Sequence, residues 1–357
     1  MNRIKEVKLY RAVSKNSMNI ADATHDISEI SFVIAEVVTE EGISGQGYLL
    51  SFHYNPNAII GALKDFQDAL IGYEVNETVK VIEDLSREME YFGHNGINKW
   101  ALAVLNIAMW DAWGKTLGQP VWKLLGGSYR PVPVYGSGGW LSYSEEELIA
   151  EVSGYKKRGF TAVKIKVGSP EVEQDIKRLR KVREAVGNDI KIMMDANQGM
   201  DLPSALKLSA QASEINIHWF EEPVIHTDYA GYELLRNRSS ISLAMGEREY
   251  DCEPLKELIR RNALDLWQPD IIRIGGVDEW RRSALLASSY NIPVLPHYYK
   301  DYDVPLLTTI DKAYGAESFD WIDGIIDNRL EVENGMVYPR QTPGWGFSFL
   351  ERELEGV

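Results

Sequence analysis

Seven residues able to hold a cation or move a proton recur along the chain: Lys166, Asp195, Glu221, Glu247, Asp270, His297 and Glu317. They are separated by 29, 26, 26, 23, 27 and 20 residues, each interval about one strand, one helix and their loops. Six of them end a short apolar run, as in Trp219-Phe220-Glu221, and Glu317 opens one. A single carboxylate at such a point more often caps a helix or sits in a solvated loop. Seven at the same point of successive units point to one rim where their side chains meet.

The residue types specify chemistry. Asp195, Glu221 and Glu247 end consecutive runs, and three bare carboxylates brought together repel and raise one another's pKa values, so a cation between them is the economical arrangement. All-oxygen ligation, with no cysteine or histidine cluster, selects a hard ion: Mg2+, with Mn2+ as the alternative and Ca2+ less suited. In Thr161-Ala162-Val163-Lys164-Ile165-Lys166-Val167, strand alternation sends Val163, Ile165 and Val167 to one face and both lysines to the other. A desolvated lysine beside a divalent ion has a lowered pKa, which suits Lys166 to act as a general base near neutral pH. His25, His53, His94, His218 and His226 lie in loops, helices or strand starts, whereas His297 ends a run. Asp270, one strand earlier, can accept a hydrogen bond from its ring and fix the tautomer.

The elements that must position these groups can be read from the periodicity. Strands are expected at 132–135, 162–167, 190–195, 217–221, 242–247, 265–270, 292–297 and 317–322, separated by amphipathic helical stretches. Eight such units predict an α/β fold with a closed parallel barrel, whose C-terminal rim carries the seven residues. An open doubly wound sheet is the alternative, but no Gly-x-Gly-x-x-Gly turn follows the first strand. Ahead of the barrel, strands at 4–13, 30–38 and 47–51 and three helical patterns predict an α+β module, its last helix spanning about 98–117. The tail from Leu330 is expected to form a hairpin around Glu333-Asn334-Gly335 and to return to that module. The expected division is 1–127, 128–328 and 329–357.

Composition sets outer limits. With 45% apolar and 25% charged residues, 357 residues can bury a large core. The net charge of -15 argues against nucleic acid and anionic membranes as partners, while a small anion would need local positive charge. One cysteine, Cys252, excludes an intramolecular disulfide and fits a reducing compartment. The amino terminus lacks the apolar core of a secretory signal, and no run of about 20 apolar residues follows, so a cytoplasmic location is expected.

The chain resembles the enolase superfamily, in its mandelate racemase subgroup. The resemblance rests on Lys164-Ile165-Lys166, Asp195-Ala196-Asn197-Gln198, Trp219-Phe220-Glu221-Glu222-Pro223, Gly246-Glu247, Gln268-Pro269-Asp270, Pro296-His297 and Glu317. In the first module it rests on Met109-Trp110-Asp111-Ala112-Trp113-Gly114-Lys115 and Leu124-Leu125-Gly126-Gly127. It implies a modified TIM barrel of the (β/α)7β kind, with an α+β N-terminal capping domain completed by the C-terminal segment. It also implies magnesium held by Asp195, Glu221 and Glu247, a base at Lys166, and an acid/base dyad of His297 with Asp270 on the opposite face. Lys164 and a protonated Glu317 match groups that stabilise the substrate carboxylate as an enediolate, and Asn197 matches a polar neighbour of the ligands. The sixth strand ends without a lysine, which disfavours the muconate cycloisomerase and enolase types.

Such a site removes the proton beside a carboxylate. Loops carrying Asn16, Ser17, Asn19, Asp22, Thr24 and His25, and His53, Tyr54 and Asn55, are expected to close over the barrel. Asn19, His25, His53 and Tyr54 are the expected contacts to a polyhydroxylated substrate, because hydrogen-bonding groups reject an apolar analogue. The expectation is an acid-sugar dehydratase, acting on an aldonate or aldarate and forming a homo-oligomer. A racemase or epimerase of a 2-hydroxy acid such as mandelate, and a non-catalytic carboxylate-binding protein, are the alternatives.

Overall fold

The computed structural model describes residues 2–15, 19–53 and 56–357. The chain opens with β1 (Ile4–Val13), a short hairpin of β2 (Ile20–Ala21) and β3 (Asp26–Ile27), then β4 (Ile30–Thr39) and β5 (Ser44–Phe52). Strands β1, β4 and β5 form an antiparallel sheet, and β4, buried along nearly its whole length, is its centre. Helices α1 (Pro56–Gln67) and α3 (Ile97–Thr116) cover it, and α2 (Thr78–Glu88) packs on α3. Every residue of α3 from Ala101 to Ala112 is buried. A helix enclosed on all sides is an internal element of the fold rather than a surface one.

Two glycines set how closely α3 approaches β5. A Cβ at Gly47 would lie 2.2 Å from the Val104 carbonyl oxygen, and one at Gly45 would lie 2.3 Å from that of Ala108. The opposing atoms are helix backbone and cannot step aside. Gly47→Val is therefore expected to cost about 1–3 kcal/mol or more through overpacking. Urea unfolding measures this, and an unchanged midpoint would show that the interface is looser than described.

After α4 (Val121–Leu124) the chain alternates: β6 (Val132–Gly138), α5 (Glu145–Lys157), β7 (Ala162–Lys166), α6 (Val172–Val186), β8 (Lys191–Asp195), α7 (Leu202–Ala212) and β9 (Ile217–Glu221). It continues through α8 (Tyr229–Arg238), β10 (Ser242–Met245), α9 (Glu253–Arg261), β11 (Leu266–Trp267), α10 (Val277–Ser289), α11 (Lys300–Leu307) and β12 (Ala316–Ser318). The parallel order is β12-β6-β7-β8-β9-β10-β11. Val294 bridges Trp267 on one side and Ala313 on the other, so the seventh run completes the ring. This is the modified TIM barrel with an antiparallel capping sheet.

Three runs are shorter than the apolar pattern suggests. At 292–297 the only pairings are the bridges of Val294, because Pro293 and Pro296 have no N–H to give a ladder. Pro269 likewise follows closely after β11. The last run keeps only Ala316–Ser318, and Phe319 and Trp321 stack on each other with centroids 4.4 Å apart.

The tail meets both modules. The hairpin at 333–336 leads into β13 (Met336–Val337), which pairs antiparallel with β6 of the barrel and not with the first module. The Val134 N–H donates to Gly335 O at 2.9 Å, and Val337 is fully buried there. Contact with the first sheet is made by later residues. The Trp345 N–H donates to Asp111 Oδ1 at 2.8 Å, and β14 (Glu355–Gly356) pairs with β1. Buried Asp111 also accepts from Gln46 N at 2.8 Å and Lys115 Nζ at 2.7 Å, so one carboxylate ties three segments together. Among the described residues no helix is long and apolar enough to cross a membrane.

Candidate active site

Parallel register brings the charged strand ends to one level. Lys166 pairs with Asp195 across β7 and β8, and Asp195 with Glu221 across β8 and β9. Past these ends the backbone turns sharply, with positive φ at Asn197 (42°), Glu222 (36°) and Tyr298 (67°). Such non-glycine conformations cost about 1–3 kcal/mol each and persist where surrounding structure enforces them. Here each follows a functional candidate by one or two residues.

Lys164, Lys166, Asp195, Glu221, Glu247 and Glu317 are all buried. Lys166 Nζ lies 2.6 Å from Asp195 Oδ2. Lys164 Nζ pairs with Glu221 Oε1, lies 2.7 Å from Glu317 Oε1 and 3.7 Å from Asp195 Oδ2. The Asn197 N–H donates to Asp195 Oδ1, and Gln268 Nε2 to Glu221 Oε2 at 2.6 Å. Glu247 Oε1 meets Arg273 at 3.2 Å and Arg248 at 3.3 Å, while its Oε2 accepts no hydrogen bond and faces His297 Nε2 at 3.4 Å. His297 Nδ1 lies 2.7 Å from Asp270 Oδ2, whose partner oxygen accepts from the Ile272 and Arg273 N–H groups.

The electrostatics follow from burial and these partners. Burial, reinforced by Asp195, Glu317 and Glu247, pushes Glu221 up to about 7 against the pull of Lys164. Burial would raise Glu247 too, but His297, Arg248 and Arg273 hold it well below the carboxylate range. Two directions differ from those expected, which for Lys166 were argued beside a divalent ion. Burial favours neutral Lys166, yet the adjoining Asp195 carboxylate outweighs it and the ammonium pKa is raised. Burial also favours a protonated Glu317, but Lys164 above all, then His297 and Lys166, pull it down to about 2, leaving a carboxylate. His297 is raised, with Glu247 and Asp270 overcoming burial.

Among the described residues no three His, Cys, Asp or Glu side chains already form a coordination cage. Asp195 and Glu221 are instead held by the two lysine ammonium groups. The donor chemistry still suits a hard cation: three buried carboxylates, one raised to about 7, and a Glu247 oxygen without a hydrogen-bond donor. The tethered ammonium groups already mark where positive charge is needed.

A cavity of about 250 Å³ opens above this cluster, with Lys166, Asn197, Glu247, Asp270 and His297 on its barrel side. The first module supplies Asp22 and His25, which are paired at 3.1 Å, and Thr24 Oγ1 reaches Asn197 O at 3.3 Å. The loop therefore closes on the barrel, but only part of its expected contact set reaches the cavity. Asn19 is exposed and does not line it, nor does His53, although its neighbours Ser51 and Phe52 do. Tyr54, with Asn16, Ser17 and Asn55, lies outside the described residues.

Arg248, Arg273 and the aromatic wall of Trp140, Phe319 and Trp321 are not singled out by the sequence. Arg248 directly follows a strand-end carboxylate and Arg273 comes three residues after Asp270. Reading the loop beyond each strand end would have marked both; nothing local marks the aromatic wall.

Residues 147–353 match the enolase C-terminal domain-like family, and residues 5–126 match the mandelate racemase / muconate lactonizing enzyme N-terminal domain. Arabinonate dehydratase of Saccharolobus solfataricus is 30% identical, over 99% of this chain and 98% of that protein. L-talarate/galactarate dehydratase of Salmonella typhimurium is 29% identical over 98% of this chain and 90% of its own. Its crystal structure with Mg and L-lyxarohydroxamate superposes with a TM-score of 0.92, covering 99% of this chain and 92% of that one. A racemase from Streptomyces coelicolor with bound magnesium, 25% identical, gives 0.94 over 99% of this chain and all of that one. By family match, full-length relatives and fold together, this chain belongs to the enolase superfamily, with the N-terminal domain of the mandelate racemase / muconate lactonizing enzyme family.

Proposed function

We propose that the chain is a magnesium-dependent acid-sugar dehydratase, which abstracts the proton alpha to a carboxylate and eliminates the β-hydroxyl as water. The observation that carries this reading is that Lys166 and the Asp270-supported His297 line one cavity together with Glu247, while Lys166 is itself paired with buried Asp195. Asp195, Glu221 and Glu247 would hold the ion. When bound, Mg2+ supplies positive charge against the substrate carboxylate as it gains electron density.

The chain's own groups do the rest. Lys164, anchored by Glu317, presents a buried ammonium to the same carboxylate, and Tyr298 N–H donates to Glu317 Oε2 at 2.9 Å to hold that anchor. Preorganised charge of this kind stabilises a developing enediolate without reorganisation. Lys166 as the neutral amine, or His297 as the neutral imidazole, takes the alpha proton, depending on the configuration at that carbon. A protonated group then assists departure of the β-hydroxyl, and the resulting enol ketonises to a 2-keto-3-deoxy acid. Asp22 and His25 lie where they can meet substrate hydroxyls. Acid-sugar substrates of the relatives named above support this choice.

Incubating a panel of aldonates and aldarates with the Mg2+-loaded protein, and assaying 2-keto acid, tests the reading. Turnover of mandelate-like acids with none of any sugar acid would sink it. Two bases on one cavity also suit a racemase or epimerase of a 2-hydroxy acid. That alternative is recognised by solvent deuterium entering the alpha position without loss of the β-hydroxyl. Catalytic silence towards every acid, with retained binding, would instead indicate a carboxylate-binding protein.

A further inference from the structure

A second cavity, of about 240 Å³, lies in the seam between the first module and the barrel. Val79, Ile82 and Leu102 make one side of it apolar, and Gly275 borders it from the loop ahead of α10. Lys99 lines it as well. Among the described residues the buried lysines, Lys164, Lys166 and Lys300, each meet a carboxylate, Lys300 lying 3.5 Å from both Asp320 and Asp323. Half-buried Lys99 has no such partner: Glu279 and Asp251 act on it from a distance, and no described neighbour accepts a hydrogen bond from its ammonium.

Three features disfavour a cation at this nitrogen. The charge is partly desolvated without a counter-ion in contact. Lys99 also stands in the first turn of α3, where the helix presents a partial positive charge and Gly96 ahead of it supplies no side-chain cap. Its stem lies against the loop before α10, since a Cβ at Gly275 would stand 2.6 Å from Lys99 Cε and 3.6 Å from Nζ. That packing keeps the head group in the cavity, where a free stem would extend it into water. Burial accordingly lowers its pKa; burial pulls Lys164 and Lys166 the same way, but adjoining carboxylates outweigh it there. A larger share of Lys99 is then the neutral amine, which is the nucleophilic form.

We propose that Lys99 is a site of Nε-acylation, taking a short acyl group from an acyl phosphate or a thioester and housing it in this cavity. The amine lone pair attacks the acyl carbon. The N–C bond forms as the bond from that carbon to phosphate oxygen or thioester sulfur breaks; the leaving group departs with the electron pair, and the amine proton passes to solvent. The product is an uncharged amide, so the unpaired charge disappears from the seam. The alkyl end of the acyl group meets Val79, Ile82 and Leu102, and the space is small beside ordinary ligand pockets, which suits a short chain.

The test exposes the Mg2+-loaded protein to limiting acetyl phosphate or acetyl-coenzyme A, and peptide mass spectrometry reads acetylation at each lysine. Lys99 is expected to be modified about threefold or more faster than exposed Lys5, the larger share of neutral amine outweighing its poorer access. Preference from either donor supports the inference, and the faster donor identifies the acyl source. In urea, where helix and cavity are gone, the preference should vanish. Lys99→Gln, which resembles the uncharged amide, is expected to unfold at a higher urea concentration than Lys99→Arg, which keeps the charge. No preference for Lys99 in the folded protein with either donor overturns the inference, as does a preference that survives in urea, or Lys99→Arg as the more resistant variant.

Discussion

Lys166→Ala is expected to lower turnover of a sugar-acid substrate by about 10²–10⁴-fold, the range over which a positioned proton-transfer group contributes. His297→Asn is expected to do the same. The reason is geometric: Lys166 stands on β7, paired with Asp195 on β8, whereas His297 ends the seventh run beside Asp270 and Glu247. They reach one cavity from different strands, so neither can take over the other's face of the alpha carbon. Exchange in deuterium oxide should therefore divide between the variants, each retaining wash-in only for the configuration served by its remaining base. The double variant should lose little more overall turnover than either single one, because groups acting in one reaction are not additive. Full turnover in both single variants would refute the assignment of bases. Loss of turnover with exchange intact for both configurations would place the two residues after proton abstraction.

Much of this arrangement is legible in the sequence because a parallel barrel turns a linear interval into a position. Once Lys166, Asp195 and Glu221 are seen to end successive apolar runs, strand pairing leaves little freedom: their register places them side by side. The same holds for α3, whose apolar residues recur around the whole helix from Ala101 to Ala112. What periodicity cannot convey is which ion pair wins. The raised pKa of Lys166 and the ionised Glu317 follow from Asp195 and Lys164 standing within 3 Å of them, and those distances are set by side-chain packing. Nor can it place the hairpin at 333–336, whose turn is recognisable but whose partner is β6. Nor does a strand expected at 47–51 show that Leu49, Leu50 and Ser51 line the cavity, which depends on docking of the first module onto the barrel.

Lys164→Met is expected to destabilise the metal-free protein by about 3–5 kcal/mol, the cost of breaking a buried pair by removing one partner. Lys164 serves Glu221 and Glu317 directly and lies 3.7 Å from Asp195, with 1% of its side chain exposed. Even with it present, burial and neighbouring carboxylates push Glu221 up to about 7. Methionine fills much the same volume, so the loss would report charge and not a cavity. A surface pair gives the contrast: Lys80, 2.5 Å from Asp84 but 56% exposed, should leave the urea midpoint almost unmoved when replaced by methionine. Mg2+ should then return part of the Lys164→Met loss, because an ion among Asp195, Glu221 and Glu247 supplies the charge that the lysine gave up. Urea unfolding in chelator and in excess Mg2+ measures both numbers without any substrate. A loss equal in the two conditions would mean that the carboxylates and the ion do not meet, and the metal assignment would fall independently of activity.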